Sequence, residues 1–191
     1  MSFAQVYTMQ LLKSTQHPSL INLEGRCLTR KATRAIVLDG DNILLLYTER
    51  YHDYSLPGGG VDEGESLTDG LIRELQEETG AQDIEVLAEF GLYEEYRPWY
   101  KDNFDIIHML SYCYVCKINE ILAETALESH EIQNGMEPVW INIFEAIKHN
   151  EETINASPKK GLSIERETFL LKRIAKELVS HSVDVSDMKV G

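Results

Sequence analysis

The sequence predicts an α/β fold in which a mixed β-sheet lies between helices. Three observations predict it: apolar runs of strand length, a glycine-rich turn that leads into an amphipathic helix, and further strands that are followed by further helices. With 191 residues and 43% hydrophobic content, the chain suits one domain that buries a sizeable core and needs no disulfide.

The first half of the chain supplies a hairpin and a helix. Residues 32–38 and 43–47 are apolar runs, and the Asp-Gly-Asp-Asn sequence at 39–42 is typical of a hairpin turn. The helix is expected over Ser66–Thr79, because its apolar residues recur on one flank. Gly80 stands where a left-handed glycine would end this helix.

The second half supplies two long strands, a short strand and two helices. The strands are expected at 83–97, 104–118 and 139–143, and a helix follows the short strand at 144–149. Ser163 is a candidate cap for the last helix, in which apolar residues recur every four positions.

The formal charge of −14 at pH 7 excludes one class of function. A protein that binds duplex nucleic acid needs a basic stripe that displaces counterions, and the sequence has none. No apolar run is long enough to cross a membrane, and the residues after Met1 lack the basic-then-apolar order of a signal peptide. We therefore expect a cytoplasmic protein with neither a membrane nor duplex nucleic acid as partner.

Three cysteines fit a reducing compartment. Cys113 and Cys116 have the spacing of a metal-binding or redox pair, but the sequence around them is typical of a strand. Residues three apart on a strand point to opposite faces. We therefore interpret both as cysteines of the core.

The helix carries three glutamates on one face near its C-terminal end. At about 100° per residue, Glu74, Glu77 and Glu78 fall within a wedge of roughly 100°. A solvated acidic face is the ordinary interpretation, but two carboxylates about 4 Å apart repel by roughly 4 kcal/mol, and the helix dipole disfavours negative charge at this end. A bound Mg²⁺ or Mn²⁺ would relieve both effects, because these ions prefer oxygen ligands.

The order of residues around this helix resembles a known motif. Gly59, five residues, Glu65, seven residues and then Arg73-Glu-Leu-Gln-Glu-Glu-Thr-Gly80 is similar to the Nudix box of the Nudix hydrolase superfamily. Ala81 departs from the larger aliphatic residue that the family prefers at the last position. This departure touches no expected ligand.

The resemblance implies an α/β/α sandwich whose catalytic core covers residues 31–150. Residues 1–30, with a helix over Gln5–Lys13 and then a strand, would form an extension that packs on the core or on a partner subunit. Residues 151–191 would form a C-terminal helix and tail. Dimerisation is common in the family, so a homodimer and a monomer are both open.

The resemblance also implies a site for Mg²⁺, with Mn²⁺ as a substitute. Its ligands would be one carbonyl of the glycine turn and three carboxylates: Gly59, Glu74, Glu77 and Glu78. Arg73 lies one turn before Glu77 and would hold that side chain in place. Glu65 would support the entry to the helix or a further metal.

The implied reaction is hydrolysis of a nucleoside diphosphate that is linked to another moiety, with water attacking phosphorus. A nucleotide sugar, ADP-ribose, a dinucleotide and a nucleoside triphosphate all belong to this class. A general base must take the proton of the water. It is Glu74 or a later glutamate, and among Glu128, Glu131 and Glu137 we choose Glu131. An exposed loop glutamate is the alternative interpretation of each of these three.

Binding of this small anionic nucleotide is expected to involve two segments. Residues 93–100 place four aromatics beside an arginine, so Tyr96 and Arg97 are candidates for stacking and binding, each stack being worth about 1–3 kcal/mol. An edge strand with structural aromatics is the alternative. Arg50 precedes the glycine turn and would face either the phosphates or solvent. The alternative function is a nucleotide-sensing Nudix module without catalysis, although such sensors usually lose box glutamates and this chain keeps them.

Overall fold

The structure is a computed structural model, and it describes residues 9–99, 101, 103–119, 121–158 and 160–179. The strands of the described residues are β1 (Leu11–Gln16), β2 (Cys27–Ile36), β3 (Leu38–Asp39), β4 (Asn42–Thr48), β5 (Asp53–Ser55), β6 (Glu85–Pro98), β7 (Ile106–Lys117) and β8 (Met136–Asn142). The helices are α1 (Leu67–Thr79), α2 (Ser129–Gln133), α3 (Ile143–Ala156) and α4 (Ile164–Ile174), and a π-helical turn continues α4 over Ala175–Val179.

The strands form two sheets where the sequence predicts one. The larger sheet has the order β1-β6-β7-β2 and is mixed, because β1 is parallel to β6 and β2 is parallel to β7, whereas β6 and β7 are antiparallel. In the smaller sheet, β4 pairs antiparallel with β3, β5 and β8. The hairpin turn at 39–42 is confirmed between β3 and β4, but the residues before it belong to β2 in the larger sheet.

Helices cover both sides of the strands, so the expected α/β architecture is confirmed. Leu71 and Leu75 of α1 pack in one buried cluster with Leu44 of β4. Helices α3 and α4 pack in the other cluster with Ile43 and Leu45. Successive residues of a strand point to opposite faces, which is why β4 supplies both clusters. In the described part of the chain, no helix combines the length and the apolar character needed to cross a bilayer.

The helix expected over Gln5–Lys13 is wrong at its C-terminal end. Residues from Leu11 onward form strand β1, which pairs with β6, and the N–H of Leu92 donates to the carbonyl of Gln10 at 2.8 Å. Leu12 packs against one of the buried clusters. Pairing with a distant strand overrides the local helical pattern here, and residues 1–8 lie outside the described part.

Helix α3 continues seven residues beyond its expected end at residue 149, because two of its polar residues bond with β5 and the turn before it. The side-chain amide of Asn150 bonds with both the N–H and the carbonyl of Tyr54, at 2.9 Å each. The hydroxyl of Thr153 donates to the carbonyl of His52 at 2.8 Å. These residues are buried and hydrogen-bonded, so they extend the helix rather than mark its exposed end.

The cysteine interpretation is confirmed. Cys113 and Cys116 are buried in different clusters, and burial raises the pKa of each thiol to about 12. Cys27 is exposed. We expect one thiol per chain to react with Ellman's reagent at pH 8 in the native protein and three in denaturant, because only the exposed thiol is accessible. Equal reaction of two or more native thiols would contradict this burial.

Candidate functional site

The glycine turn, defined here as Pro57–Gly60, lies along the free edge of β2. Backbone N–H groups of β2 donate to the carbonyls of Pro57 and Gly59 at 2.8 and 3.0 Å, and Gly60 forms a bridge with Ala32. Gly58 has a φ of 131°, which a residue with a side chain rarely adopts. The turn is therefore held to the larger sheet as a short additional strand.

Helix α1 begins and ends where the sequence predicts. The hydroxyl of Ser66 accepts from the N–H of Asp69 at 3.1 Å, and Gly80 ends the helix with a φ of 70°. A Cβ at position 80 would collide with the carbonyl oxygen of Ala123. The N–H groups of Ala123 and Ala126 donate to carbonyls at the end of α1, at 2.7 Å each. This docking satisfies part of the helix end and leads the chain into α2.

A cavity of about 380 Å³ lies between the glycine turn, α1, α2 and the larger sheet. Its lining is rich in charged side chains of both signs. They are Arg30, Arg34, Asp62, Arg73, Glu74, Glu78, Glu128 and Glu131. The cavity thus contains two of the three predicted carboxylate ligands and the predicted general base, and Glu77 is outside this lining.

Glu74 and Glu78 lie directly against the glycine turn. The carboxylate of Glu78 accepts from the N–H of Gly58 at 2.6 Å, and this residue is only 5% exposed. Burial raises the pKa of Glu78 to about 8, although the Gly58 N–H opposes the shift. A Cβ at position 59 would overlap the carboxylate of Glu74, so a larger residue there would displace this side chain. Burial also raises the pKa of Glu74, against the influence of Arg73.

Arg73 lies among the other carboxylates of the motif. Its guanidinium donates to both oxygens of Glu65 at 3.0 Å, to Glu74 at 2.7 Å and to Glu77 at 3.4 Å. It also donates to the carbonyl of Gly60 at 3.0 Å. The acidic face of α1 is therefore partly neutralised by its own arginine, and the hydrogen bonds to Glu65 are the largest cause that raises the pKa of Arg73.

Helix α2 brings Glu131 to the cavity from a position 53 residues after Glu78 in the sequence. Glu131 is 8% exposed, and one of its oxygens accepts from the N–H of Glu128 at 2.6 Å in a capping box. Burial is the main cause that raises the pKa values of Glu74 and Glu78, and the charge of Glu131 raises both by a smaller amount. These carboxylates are therefore electrostatic neighbours.

The residues present fit a divalent metal ion that retains water. Within the described ranges, no three His, Cys, Asp or Glu side chains are grouped closely enough to form a metal cage. Mg²⁺ commonly binds through one or two carboxylates and completes its shell with water and substrate phosphates. Glu74 and Glu78 are two such carboxylates in the cavity lining, and the carbonyl of Gly59, which accepts from the N–H of Thr33 at 3.0 Å, keeps a second lone pair.

The predicted substrate residues lie elsewhere. Arg50 donates to the side chain of Asn134 at 3.1 Å, just after α2. Tyr96 stacks on His108 with ring centroids 4.2 Å apart, and Arg97 pairs with Glu95 at 3.2 Å beside a smaller cavity. None of the three predicted residues lines the cavity beside the glycine turn. Their roles in substrate binding stay predictions, and Tyr100 lies outside the described residues.

Sequence reasoning missed two arginines of β2 that line the cavity. The guanidinium of Arg30 lies over Gly60, where a Cβ would come within 2.9 Å of it. Arg34 donates to the carbonyl of Gly58. Residues four apart on a strand lie on the same face, and that alternation could have identified Arg30 and Arg34 as a pair.

The chain is similar in sequence to known proteins of one family. A model of the NUDIX domain matches residues 28–161. An RNA pyrophosphohydrolase of Bartonella quintana (strain Toulouse) is 42% identical over 57 residues, 30% of this chain and 30% of its own length. An RNA pyrophosphohydrolase of a Nitratiruptor species is 46% identical over 43 residues, 22% of this chain and 28% of its own length. The chain thus spans less than a third of the length of these relatives.

A solved structure of similar fold is a NUDIX hydrolase from Nitrosomonas europaea. It aligns with a TM-score of 0.50 and 19% identity, over 72% of this chain and 95% of that one. At this identity the similarity shows the fold alone. The family model covers more than half of the chain, including the glycine turn, α1 and α2. The chain therefore belongs to the NUDIX family.

Proposed function

We propose that the protein is a metal-dependent pyrophosphohydrolase, which cleaves a nucleoside diphosphate linked to another moiety. One observation carries this proposal: Glu74 and Glu78 lie against a glycine turn, in a cavity that also contains Glu131. Carboxylates whose pKa values are raised by burial, beside an open and partly cationic space, are typical of functional sites.

Each residue of the site has a role in this proposal. Glu74, Glu78 and the Gly59 carbonyl would hold Mg²⁺, or Mn²⁺ in its place, and Glu77 would join them from the rim. The bound metal would neutralise phosphate oxygens and lower the pKa of the attacking water. Arg73 orients Glu74 through their 2.7 Å bond.

Two further residues act on the substrate in this proposal. Glu131 takes the proton of the attacking water, because one of its carboxylate oxygens accepts the Glu128 N–H and the other is available. Arg30 extends over Gly60 and offers its guanidinium to the pyrophosphate. Together they would place water and phosphate on the same side of the glycine turn.

The proposed substrate is a small nucleotide. The net charge of −14 opposes long polyanions, because they gain affinity by releasing counterions from a basic surface. The second candidate is the 5′ end of an RNA chain, because the relatives named above are RNA pyrophosphohydrolases. A nucleotide sensor would bind these compounds and leave them intact. The unpaired cysteines Cys27, Cys113 and Cys116 support a cytoplasmic setting for this activity.

A substrate panel in ¹⁸O-labelled water tests the proposed function. It contains nucleotide sugars, ADP-ribose, dinucleotides, nucleoside triphosphates and a 5′-triphosphorylated RNA oligonucleotide, each with Mg²⁺ or Mn²⁺. We expect cleavage of a pyrophosphate bond, with ¹⁸O on the attacked phosphorus. Binding without any turnover across the panel would leave the sensor as the correct function.

Glu131→Gln tests the general base. We expect kcat to fall by about 100-fold or more, while metal affinity stays unchanged. Glu137→Gln is the matched control, because Glu137 is an exposed glutamate of β8 outside the cavity lining. Equal activity of the two variants would remove Glu131 from the mechanism.

A further inference from the structure

Helix α4 carries two charged residues into the interior of the protein. Arg166 is 4% exposed and Glu167 is 1% exposed. Both lie after residue 161, where the match to the family model ends. Buried charges are costly unless they are paired, so their partners show what this part of the chain supports.

One oxygen of Glu167 holds the backbone just before the glycine turn. It accepts from the N–H of Leu56 at 3.0 Å, across 111 positions of sequence. Leu56 is itself almost fully buried and belongs to the cluster that contains α4. The entrance to the turn is therefore fixed by a carboxylate that comes from the C-terminal helix.

The other oxygen of Glu167 is shared by two arginines. Arg166 donates to it through two nitrogens, at 2.8 and 3.0 Å. Arg34 lies 3.7 Å away, and the same guanidinium donates to the carbonyl of Gly58. Glu167 thus reaches the glycine turn a second time, through Arg34.

Through Gly58, Arg34 is connected to Glu78, which is a predicted metal ligand. The N–H of Gly58 donates to Glu78 at 2.6 Å, while the carbonyl of Gly58 accepts from Arg34. The N–H of Gly58 belongs to the 57–58 peptide and its carbonyl to the 58–59 peptide, and the two planes meet at the Cα of Gly58, so a displacement of this Cα would change both bonds. The position of Glu78 therefore depends on the position of Arg34, and that depends on Glu167.

We propose that Glu167 is a positioning residue, which sets the glycine turn through Leu56 and Arg34 so that Glu78 is held ready for metal. The effect on catalysis rests on the proposed function. The effect of Glu167 on the position of the glycine turn does not depend on it. It makes α4 a part of the site, although the family model ends before this helix.

The competing explanation is that Glu167 only stabilises the buried core. A variant of Glu95 distinguishes this explanation from the positioning role. Glu95 is 5% exposed and pairs with Arg166 at 2.8 Å, so it matches Glu167 in burial and in one partner. Among the described residues it bonds with Arg166 and Arg97 rather than with the glycine turn. Glu95→Gln therefore disturbs the same buried ion network without disturbing the turn.

The experiment compares Glu167→Gln with Glu95→Gln by amide hydrogen exchange and by Mn²⁺ titration without nucleotide. We expect both variants to have a lower Tm. Only Glu167→Gln should speed exchange of the Gly58 N–H, by about tenfold or more, and weaken Mn²⁺ binding by about 10- to 100-fold. Wild-type behaviour of Glu167→Gln, or equal changes in both variants, overturns the proposal.

Arg34→Lys is the second variant if Glu167→Gln does not fold. It keeps a positive charge near Glu167 but loses the planar fork that reaches both Glu167 and Gly58. We expect the same faster exchange at Gly58, and exchange at the wild-type rate contradicts the inference. The exchange measurement needs neither metal nor substrate, so failure of the proposed function to show turnover is distinguishable from failure of the positioning role.

Discussion

Glu78→Gln is expected to lower turnover by about 100- to 1000-fold and to raise the stability of the metal-free protein. Turnover falls because an amide is a poor ligand for Mg²⁺ compared with a carboxylate. Stability rises because burial raises the pKa of Glu78 to about 8 in the folded state. The amide still accepts the N–H of Gly58 but carries no charge that must be buried.

The sign of the pH dependence follows from this raised pKa. Glu78 binds its proton more tightly in the folded than in the unfolded chain. Its contribution to the free energy of unfolding is therefore complete at a pH below its pKa in the unfolded chain. It is lost as the pH rises through about 8. The gain in Tm of Glu78→Gln should therefore increase from pH 5 to pH 9, and reach at least about 3 °C.

Thermal melts in a metal chelator across this pH range, with kinetics under saturating Mg²⁺, check the prediction for Glu78. Glu77→Gln is the matched control, because its side chain is 43% exposed and pairs with Arg73. We expect no gain in metal-free Tm for this control. If the difference in metal-free Tm between Glu78→Gln and the wild type stays the same at every pH, the prediction that Glu78 is a buried carboxylate that binds a proton is wrong.

Arg73→Gln is expected to have the second largest effect. It removes the donor to Glu65, Glu74, Glu77 and the Gly60 carbonyl at once. We expect metal affinity to fall by about 10- to 100-fold, because Glu74 loses its orientation. We also expect a loss of roughly 2 kcal/mol in the free energy of unfolding without metal, because charged hydrogen bonds are lost and the carboxylates repel.

Denaturant titration with and without Mg²⁺ measures both effects of this change. Arg73→Lys keeps the charge but lacks the fork that reaches several acceptors, so it should recover only part of the metal affinity. Arg173→Gln removes a partly exposed arginine that pairs with Glu177 within its own helical segment, and should change stability by about 1 kcal/mol or less. Full metal affinity in Arg73→Gln would show that Arg73 does not orient the ligands.

Local features of the site were predictable because neighbouring residues determine them. Ser66 and Gly80 bound α1 through a side-chain cap and a left-handed glycine, and both effects act within a few residues. The spacing of Glu74 and Glu78 by four residues places them one above the other on the helix. The opposite orientation of Cys113 and Cys116 likewise follows from the alternation of side chains along a strand.

Features that depend on distant pairing were predicted only in part. Glu131 was one of three candidate glutamates in the sequence, and docking of residues 123–126 on the end of α1 brings it to the cavity. The strand β1 replaces the end of an expected helix because β6 lies beside it. Glu77 and Glu78 are adjacent in sequence, yet only Glu78 is buried beneath the glycine turn.

The acidic helix, its two ends and the glycine turn before it were predictable from neighbouring residues, because hydrogen bonding and helical periodicity act over a few residues. Which carboxylates are buried is set by the tertiary structure, which also joins Arg34 to Gly58 across 24 positions and Glu167 to Leu56 across 111 positions. Burial and ion pairing depend on the three-dimensional neighbours of a side chain, and these neighbours are set when β2 and α4 pack around the glycine turn.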